Sequence, residues 1–144
     1  MKKRRECACA CTCVRRASRA VTQLYDEAFR PIGYRATQIS ILDTLAQMGP
    51  VTVTELAEES VTDRTTLTRN LKLLSQKRVV CLEQGSDRRE RKVCMTRKGR
   101  EVVKAAHPRW LAVQKQLMAQ VGRKRFHRLS EDLAQMVAAA RNCC

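Results

Sequence analysis

Apolar residues recur at three- and four-residue steps along most of this chain, the periodicity of helices buried on one face. Val14, Ala17, Val21, Leu24 and Ala28 mark one such stripe between Cys13 and Arg30, and Pro31-Ile32-Gly33 breaks it. Ile41, Leu42, Leu45 and Met48 form the next stripe, with Thr37 as its expected N-cap and Gly49-Pro50 as its end. Val51 to Val53 is short and β-prone. Thr54 is the expected cap of a third helix that turns Leu56 and Ala57 inward. Val61 is expected to plug the turn that follows, and Thr62 or Asp63 to cap a fourth helix seated by Leu67, Leu71 and Leu74.

The period then changes. Val79-Val80-Cys81-Leu82 and Lys92-Val93-Cys94-Met95 are β-prone runs around a polar stretch containing Gly85, which predicts a hairpin. Helical spacing returns with Val103, Ala106, Trp110, Val113 and Leu117, between Arg97 and about Val121. A kink is expected at His107-Pro108, because proline removes one helix hydrogen bond. After Gly122 a last helix carries Phe126, Leu129, Leu133, Met136, Val137 and Ala140. The predicted fold is mainly α with a small β-hairpin wing: a winged helix-turn-helix flanked by N- and C-terminal dimerisation helices. There is no internal repeat and no long linker, so residues 1–144 read as one domain. Within it, 1–12 is a cysteine-rich tail, 13–36 and 100–144 are the dimerisation helices, and 37–99 is the winged helix. The terminal stripes exceed what a small winged helix needs for its own core, and a two-fold homodimer would cover them.

The fourth helix carries the chemistry. With its leucines turned inward, Arg64, Thr65, Thr66, Thr68, Arg69 and Lys72 lie off the buried stripe. A recognition helix presents such residues to base edges in the major groove. Arginine can bond both acceptors of guanine, and threonine can donate to a base or touch a thymine methyl. Threonine is a poor helix former, so propensity does not account for three of them; the competing reading is a solvated face with some capping. The hairpin loop reads Gly85-Ser86-Asp87-Arg88-Arg89-Glu90-Arg91-Lys92, and arginine there suits the narrow minor groove.

Charge sharpens this reading. Lys and Arg number 29 against 14 acids, giving +15. Thirteen of the bases but four of the acids fall between Arg64 and Lys104, a local surplus of nine. A field of that size points to a polyanion, and double-stranded DNA is the expected partner. A hydrophobic content of 44% with 30% charged residues describes a globular chain. No run approaches the roughly 18 apolar residues of a membrane span. Met1 to Arg5 is basic but no apolar stretch follows, so cytoplasmic residence and no membrane partner are expected. No G-x-S-x-G, H-E-x-x-H or phosphate-binding glycine loop appears, so the chain does not read as an enzyme.

These residues resemble the MarR (multiple antibiotic resistance regulator) family over roughly Val14 to Arg141. Asp87-Arg88-Arg89 followed by Met95-Thr96-Arg97-Lys98-Gly99 is similar to the family's D-R-R and L-T-x-x-G. Ile32-Gly33-Tyr34-Arg35-Ala36-Thr37-Gln38 is similar to its G-L-T-x-x-Q. The resemblance implies a triangular homodimer, a pseudo-palindromic operator, and repression relieved by an effector in a bacterial or archaeal-type regulator. It makes Asp87 a brace of the wing and Arg88 or Arg89 the minor-groove finger. Arg78 stands where the family commonly has glycine, which puts the local cap in question.

Eight cysteines in a reducing compartment read as thiols or metal ligands before they read as a disulfide framework. Cys7, Cys9, Cys11 and Cys13 alternate at the start, and Cys143 and Cys144 end the chain. If the termini meet in the dimerisation region, six thiols come together. Such a cluster could hold a soft metal or metalloid ion, or act as an oxidant switch, although no cofactor is required for the fold. Nearby arginines favour thiolate, and Cys9, Cys11 and Cys13 lie nearest the first helix. The spacing is not the C-x-x-C of a structural zinc site, and structural or fraying roles stand beside the sensing one. Cys81 and Cys94 read as small apolar fillers of the hairpin. His107 and His127 read as solvated or interfacial. Trp110, Tyr25, Phe29 and Tyr34 read as core, or as the lining of a crevice for a small aromatic effector. Against a sequence-specific repressor stand three alternatives: a non-specific architectural nucleic-acid binder, a thiol protein on a winged-helix scaffold, and a regulator of a small aromatic ligand with purely structural cysteines.

Overall fold

Each apolar stripe becomes a helix in the computed structural model, which describes residues 9–85 and 91–143. The order is α1 (Ala10–Phe29), a 3-10 turn (Arg30–Ile32), α2 (Ala36–Met48), β1 (Val51–Thr52), α3 (Val53–Glu59), α4 (Arg64–Gln76), β2 (Val80–Gln84), β3 (Arg91–Met95), α5 (Arg97–Val121) and α6 (Arg123–Asn142). The strands form one antiparallel sheet in the order β1-β3-β2. Val51 faces Val93 across one ladder, and Cys81 faces Cys94 across the other. A helix-turn-helix (α3–α4) followed by a hairpin (β2–β3) is the winged helix expected from the sequence. The chain divides into two compact units, Met1–Arg109 and Trp110–Cys144, and α5 runs through Pro108 just before the division. Among the described residues no helix is long and apolar enough to cross a membrane.

The first unit is organised around leucine. Leu42, Leu45, Leu56, Leu67 and Leu74, with Val79 and Val93, are essentially removed from solvent and tie α2, α3, α4 and the sheet together. Each such side chain contributes about 1.5–3 kcal/mol by its burial. A second cluster of Phe29, Ile39 and Ala106 joins α1, α2 and the first part of α5. There the Arg109 guanidinium donates to the Ala28 carbonyl at 3.3 Å.

Two helix starts and one turn residue correct the sequence reading. Helix α2 begins at Ala36, so Thr37 is not its cap. Its first amides are met instead by Asp26 of α1, which accepts from Ala36 N–H at 2.6 Å, and by the buried Gln38, which accepts from Arg35 N–H at 3.1 Å. Helix α3 is capped by Thr52 and not Thr54. The Thr52 hydroxyl accepts from Glu55 N–H at 3.2 Å and the Glu55 carboxylate accepts from Thr52 N–H at 2.8 Å, a reciprocal capping box. Val61 does not plug the turn. It is 60% exposed with φ of +49°, while Leu56, Ala57 and Leu67 on the flanking helices are buried. Asp63 caps α4 as expected, accepting from Thr66 N–H at 2.8 Å.

The end of α4 and the start of α5 are locked to each other. Arg78 closes α4 in the left-handed conformation, with φ of +60°, where glycine is favoured. Its N–H donates to Ser75 O at 2.8 Å and Val79 N–H donates to Leu74 O at 3.1 Å, so the cap forms without glycine. The Thr96 hydroxyl donates to Arg78 O at 2.8 Å and accepts from Gly99 N–H at 3.1 Å. Gly99 is there for space: a Cβ on it would lie 2.2 Å from Val79 O and 2.6 Å from Met95 Cγ. Gly99→Ala is therefore expected to cost about 1–3 kcal/mol of stability by overpacking. Arg78→Gly is expected to gain about 0.5–1 kcal/mol, since relief of the left-handed conformation exceeds glycine's added unfolded-state entropy. Chemical denaturation measures both; unchanged stability in Gly99→Ala would contradict the close approach.

Candidate nucleic-acid interface

Helix α4 is two-faced because its leucines are three and four residues apart. Leu67, Leu71 and Leu74 are buried, while Arg64, Thr65, Thr66, Thr68, Arg69 and Lys72 are all exposed. The structure thus brings the six sequence-derived residues to one solvent-facing surface. The ion pairs among the described residues, Arg30 with Glu27 and Arg97 with Glu101, do not involve Arg64, Arg69 or Lys72. Their charge is available to a partner. Thr66 has a local task as well: its side chain and N–H hold the Asp63 carboxylate, which lowers the Asp63 pKa. Asn70, not singled out in the sequence, lies one turn on and donates its side-chain amide to Thr66 O at 3.0 Å.

The far end of α4 is anchored by lysines. Lys77 Nζ lies 4.2 Å from the Tyr34 ring centroid and donates to Gly33 O at 2.5 Å. Gly33 takes φ of +78° at the end of the 3-10 turn, which accounts for glycine in the Ile32–Gln38 motif. Lys98 Nζ donates to Lys77 O at 3.0 Å, placing a cation at a helix C-terminus. These contacts fix the angle at which α4 is presented. Sequence reasoning passed over them because they join residues far apart in the chain.

The wing is built on five paired positions, from Val80 opposite Met95 to Gln84 opposite Arg91. Arg91 is exposed at the start of β3. Asp87, Arg88 and Arg89, named as brace and finger, lie outside the described residues. Inside the hairpin Cys94 is buried and Cys81 half-buried, in keeping with packing roles. Burial, with the Glu83 carboxylate next to it, pushes the Cys94 thiol up to about 11.

The terminal cysteines do not form one class. Cys9 precedes α1 and is exposed; hydrogen bonds from the backbone and side chain of Thr12 and from the backbone of Cys11 lower its pKa. Cys11 is an exposed thiol on the first turn of α1, and Cys143 is exposed after α6. Cys13 is disulfide-bonded, which corrects the reading of the whole set as thiols or metal ligands. Cys7 and Cys144 lie outside the described residues. His107 and His127 are exposed, and His127 meets the Phe126 ring edge-on at 6.3 Å between centroids. Phe29 is core, stacked on Tyr25 with ring centroids 5.9 Å apart, whereas Trp110 is 40% exposed.

This architecture recurs in known regulators. The MarR family model matches residues 35–90. The DNA-bound crystal structure of the Mycobacterium tuberculosis transcriptional regulator MosR is similar at 38% identity and a TM-score of 0.85, over 94% of this chain and 98% of that one. The apo form of MarR from Escherichia coli shares the fold, with 20% identity and a TM-score of 0.76 over 91% of this chain and 98% of that one. YwoH, an HTH-type transcriptional regulator of Bacillus subtilis, is 26% identical over 106 residues, 74% of this chain and 77% of that protein. With the relative MosR matched along nearly its whole length and the family model lying across the helix-turn-helix and into the wing, the chain belongs to the MarR family of winged helix-turn-helix transcriptional regulators.

Proposed function

We propose that this protein is a homodimeric repressor that reads a pseudo-palindromic operator in double-stranded DNA and is released by a thiol-reactive effector in the cytoplasm. The observation that carries the DNA reading is the outer face of α4, where three cations and three threonines stand exposed beside buried leucines. The relative MosR has been solved with DNA, which supports the same use of the fold here. Its work is binding and not catalysis. The dimer reading is supported by α6, whose Leu129, Leu133, Met136 and Val137 are 48, 41, 44 and 42% exposed in the single chain. So large an apolar stripe is normally covered by a partner. Two copies would set their recognition helices about 34 Å apart, one DNA turn.

The release step rests on the N-terminal cysteines. Cys9 is exposed, and the hydrogen bonds from Thr12 and Cys11 that lower its pKa favour the thiolate form. A hydroperoxide would take two electrons from such a thiolate, leaving a sulfenic acid and an alcohol or water. A neighbouring thiol then displaces the hydroxyl as water and closes a disulfide. Release follows only if the two redox forms differ in their preference between DNA-competent and DNA-incompetent arrangements.

Two outcomes are expected. In competition binding at one fixed salt concentration, the protein holds its own promoter far more tightly than random duplex. Arg69→Ala should weaken the promoter complex by about 1–3 kcal/mol while leaving random-duplex binding nearly unchanged. Equal affinity for both duplexes would instead establish a non-specific architectural binder. For the switch, the chain with Cys7, Cys9, Cys11 and Cys13 changed to serine should stay on the operator when a hydroperoxide is added. Undiminished release from that variant would remove the tail from the mechanism.

A further inference from the structure

The wing holds a second sulfur cluster, separate from the tail. In the β2–β3 ladder Cys81 lies directly opposite Cys94, and Glu83 lies directly opposite Lys92. Side chains two apart on a strand share a face, as do directly paired residues. Cys81, Glu83, Cys94 and Lys92 therefore share one face of the hairpin, opposite the face carrying Val80 and Val93 into the core. The Sγ atoms of Cys81 and Cys94 and a carboxylate oxygen of Glu83 all lie within 4.8 Å of one another. Cys81 Sγ is 3.9 Å from Glu83 Oε1 and 3.5 Å from the Cys94 carbonyl oxygen.

We propose that Cys81, Glu83 and Cys94 form a binding site for a soft or borderline divalent cation of the zinc–cadmium class. A tetrahedral ion with metal–sulfur bonds of about 2.3 Å and metal–oxygen bonds near 2.1 Å sets its ligand atoms roughly 3.5–3.8 Å apart. The three ligand atoms, all within 4.8 Å of one another, already stand near that spacing. Two sulfurs with one carboxylate select against magnesium and calcium, which require all-oxygen shells. Cys94 is buried, Cys81 half-buried and Glu83 exposed, so the sulfurs are sheltered while one side stays open for a water as fourth ligand. On binding, each thiol gives up its proton to solvent. The two thiolates and the carboxylate then exceed the ion's charge by one, and Lys92, paired with Glu83 across the ladder, puts a cation on the same face. This site does not depend on how the wing meets DNA, and it is tested on the protein alone.

The test is cadmium titration of the reduced full-length chain with Cys7, Cys9, Cys11, Cys13, Cys143 and Cys144 replaced by serine. One ion per chain is expected, with a thiolate-to-cadmium ultraviolet band and two sulfur ligands by X-ray absorption. Adding Cys81→Ser or Cys94→Ser should abolish tight binding. Adding Glu83→Gln should keep the sulfur band but weaken affinity at least about tenfold, since loss of outer-shell partners alone costs that much. Circular dichroism checks that each variant is folded. In the otherwise native chain, Cys81→Ser should remove one cadmium equivalent. No tight ion in a folded protein, or a Cys81–Cys94 disulfide that persists under reducing conditions, would overturn the site. Equal affinity in Glu83→Gln would overturn the carboxylate's part in it.

Discussion

Burial of Leu67, Leu71 and Leu74 decides which side of α4 meets water, and the functional reading follows from that orientation. A helix cannot bury one stripe without exposing the opposite one. The exposed stripe here carries Arg64, Thr65, Thr68, Arg69 and Lys72. Turned by half a revolution, the same sequence would bury cations without partners, at a cost no small domain withstands. The hydrophobic seat therefore specifies both the fold and the chemistry offered to a partner.

Seating alone leaves the helix free to tilt, and a second constraint removes that freedom. Thr96 bridges Arg78 O and Gly99 N–H, Lys98 holds Lys77 O, and Lys77 reaches Gly33 and Tyr34. One compact set of polar contacts thus ties the C-terminal end of α4 to β3, to α5 and to the α1–α2 connection. Because the hairpin begins two residues after Arg78, the helix and the wing are positioned by the same junction. That coupling is what a reader of adjacent grooves requires, since its two contacting elements must keep a fixed separation.

Most of this fold was legible in the sequence because apolar periodicity is a local signal. The boundaries of α5, the hairpin and the buried leucines of α4 follow from spacing alone. Caps were harder. Thr37 and Thr54 look like caps in isolation, but Asp26, ten residues before Ala36, satisfies the start of α2, and the Thr52–Glu55 box takes the start of α3. The Thr52–Glu55 spacing was available as a signal; the Asp26 contact was not, because it is tertiary. At Arg78 the family's glycine is missing, yet the left-handed cap forms because its hydrogen bonds and Thr96 hold it. The exposed face of α4 was readable by subtraction from the leucines. The cysteine chemistry was not, since thiol, disulfide and ligand share one letter and only packing separates the buried Cys94 from the exposed Cys11. Cross-strand register, invisible in composition, is what sets Cys81, Glu83 and Cys94 together.

The central claim is that the outer face of α4 reads base sequence. Selection of bound duplexes from a fully random DNA pool tests it most directly, with the wild-type protein and the Arg69→Ala variant run side by side. The account requires an enriched inverted repeat with half-sites about one helical turn apart, and relaxed base preference at a symmetric pair of positions when Arg69 is lost. A selected pool indistinguishable from the input, or an enriched motif that Arg69→Ala leaves unaltered at every position, would contradict it.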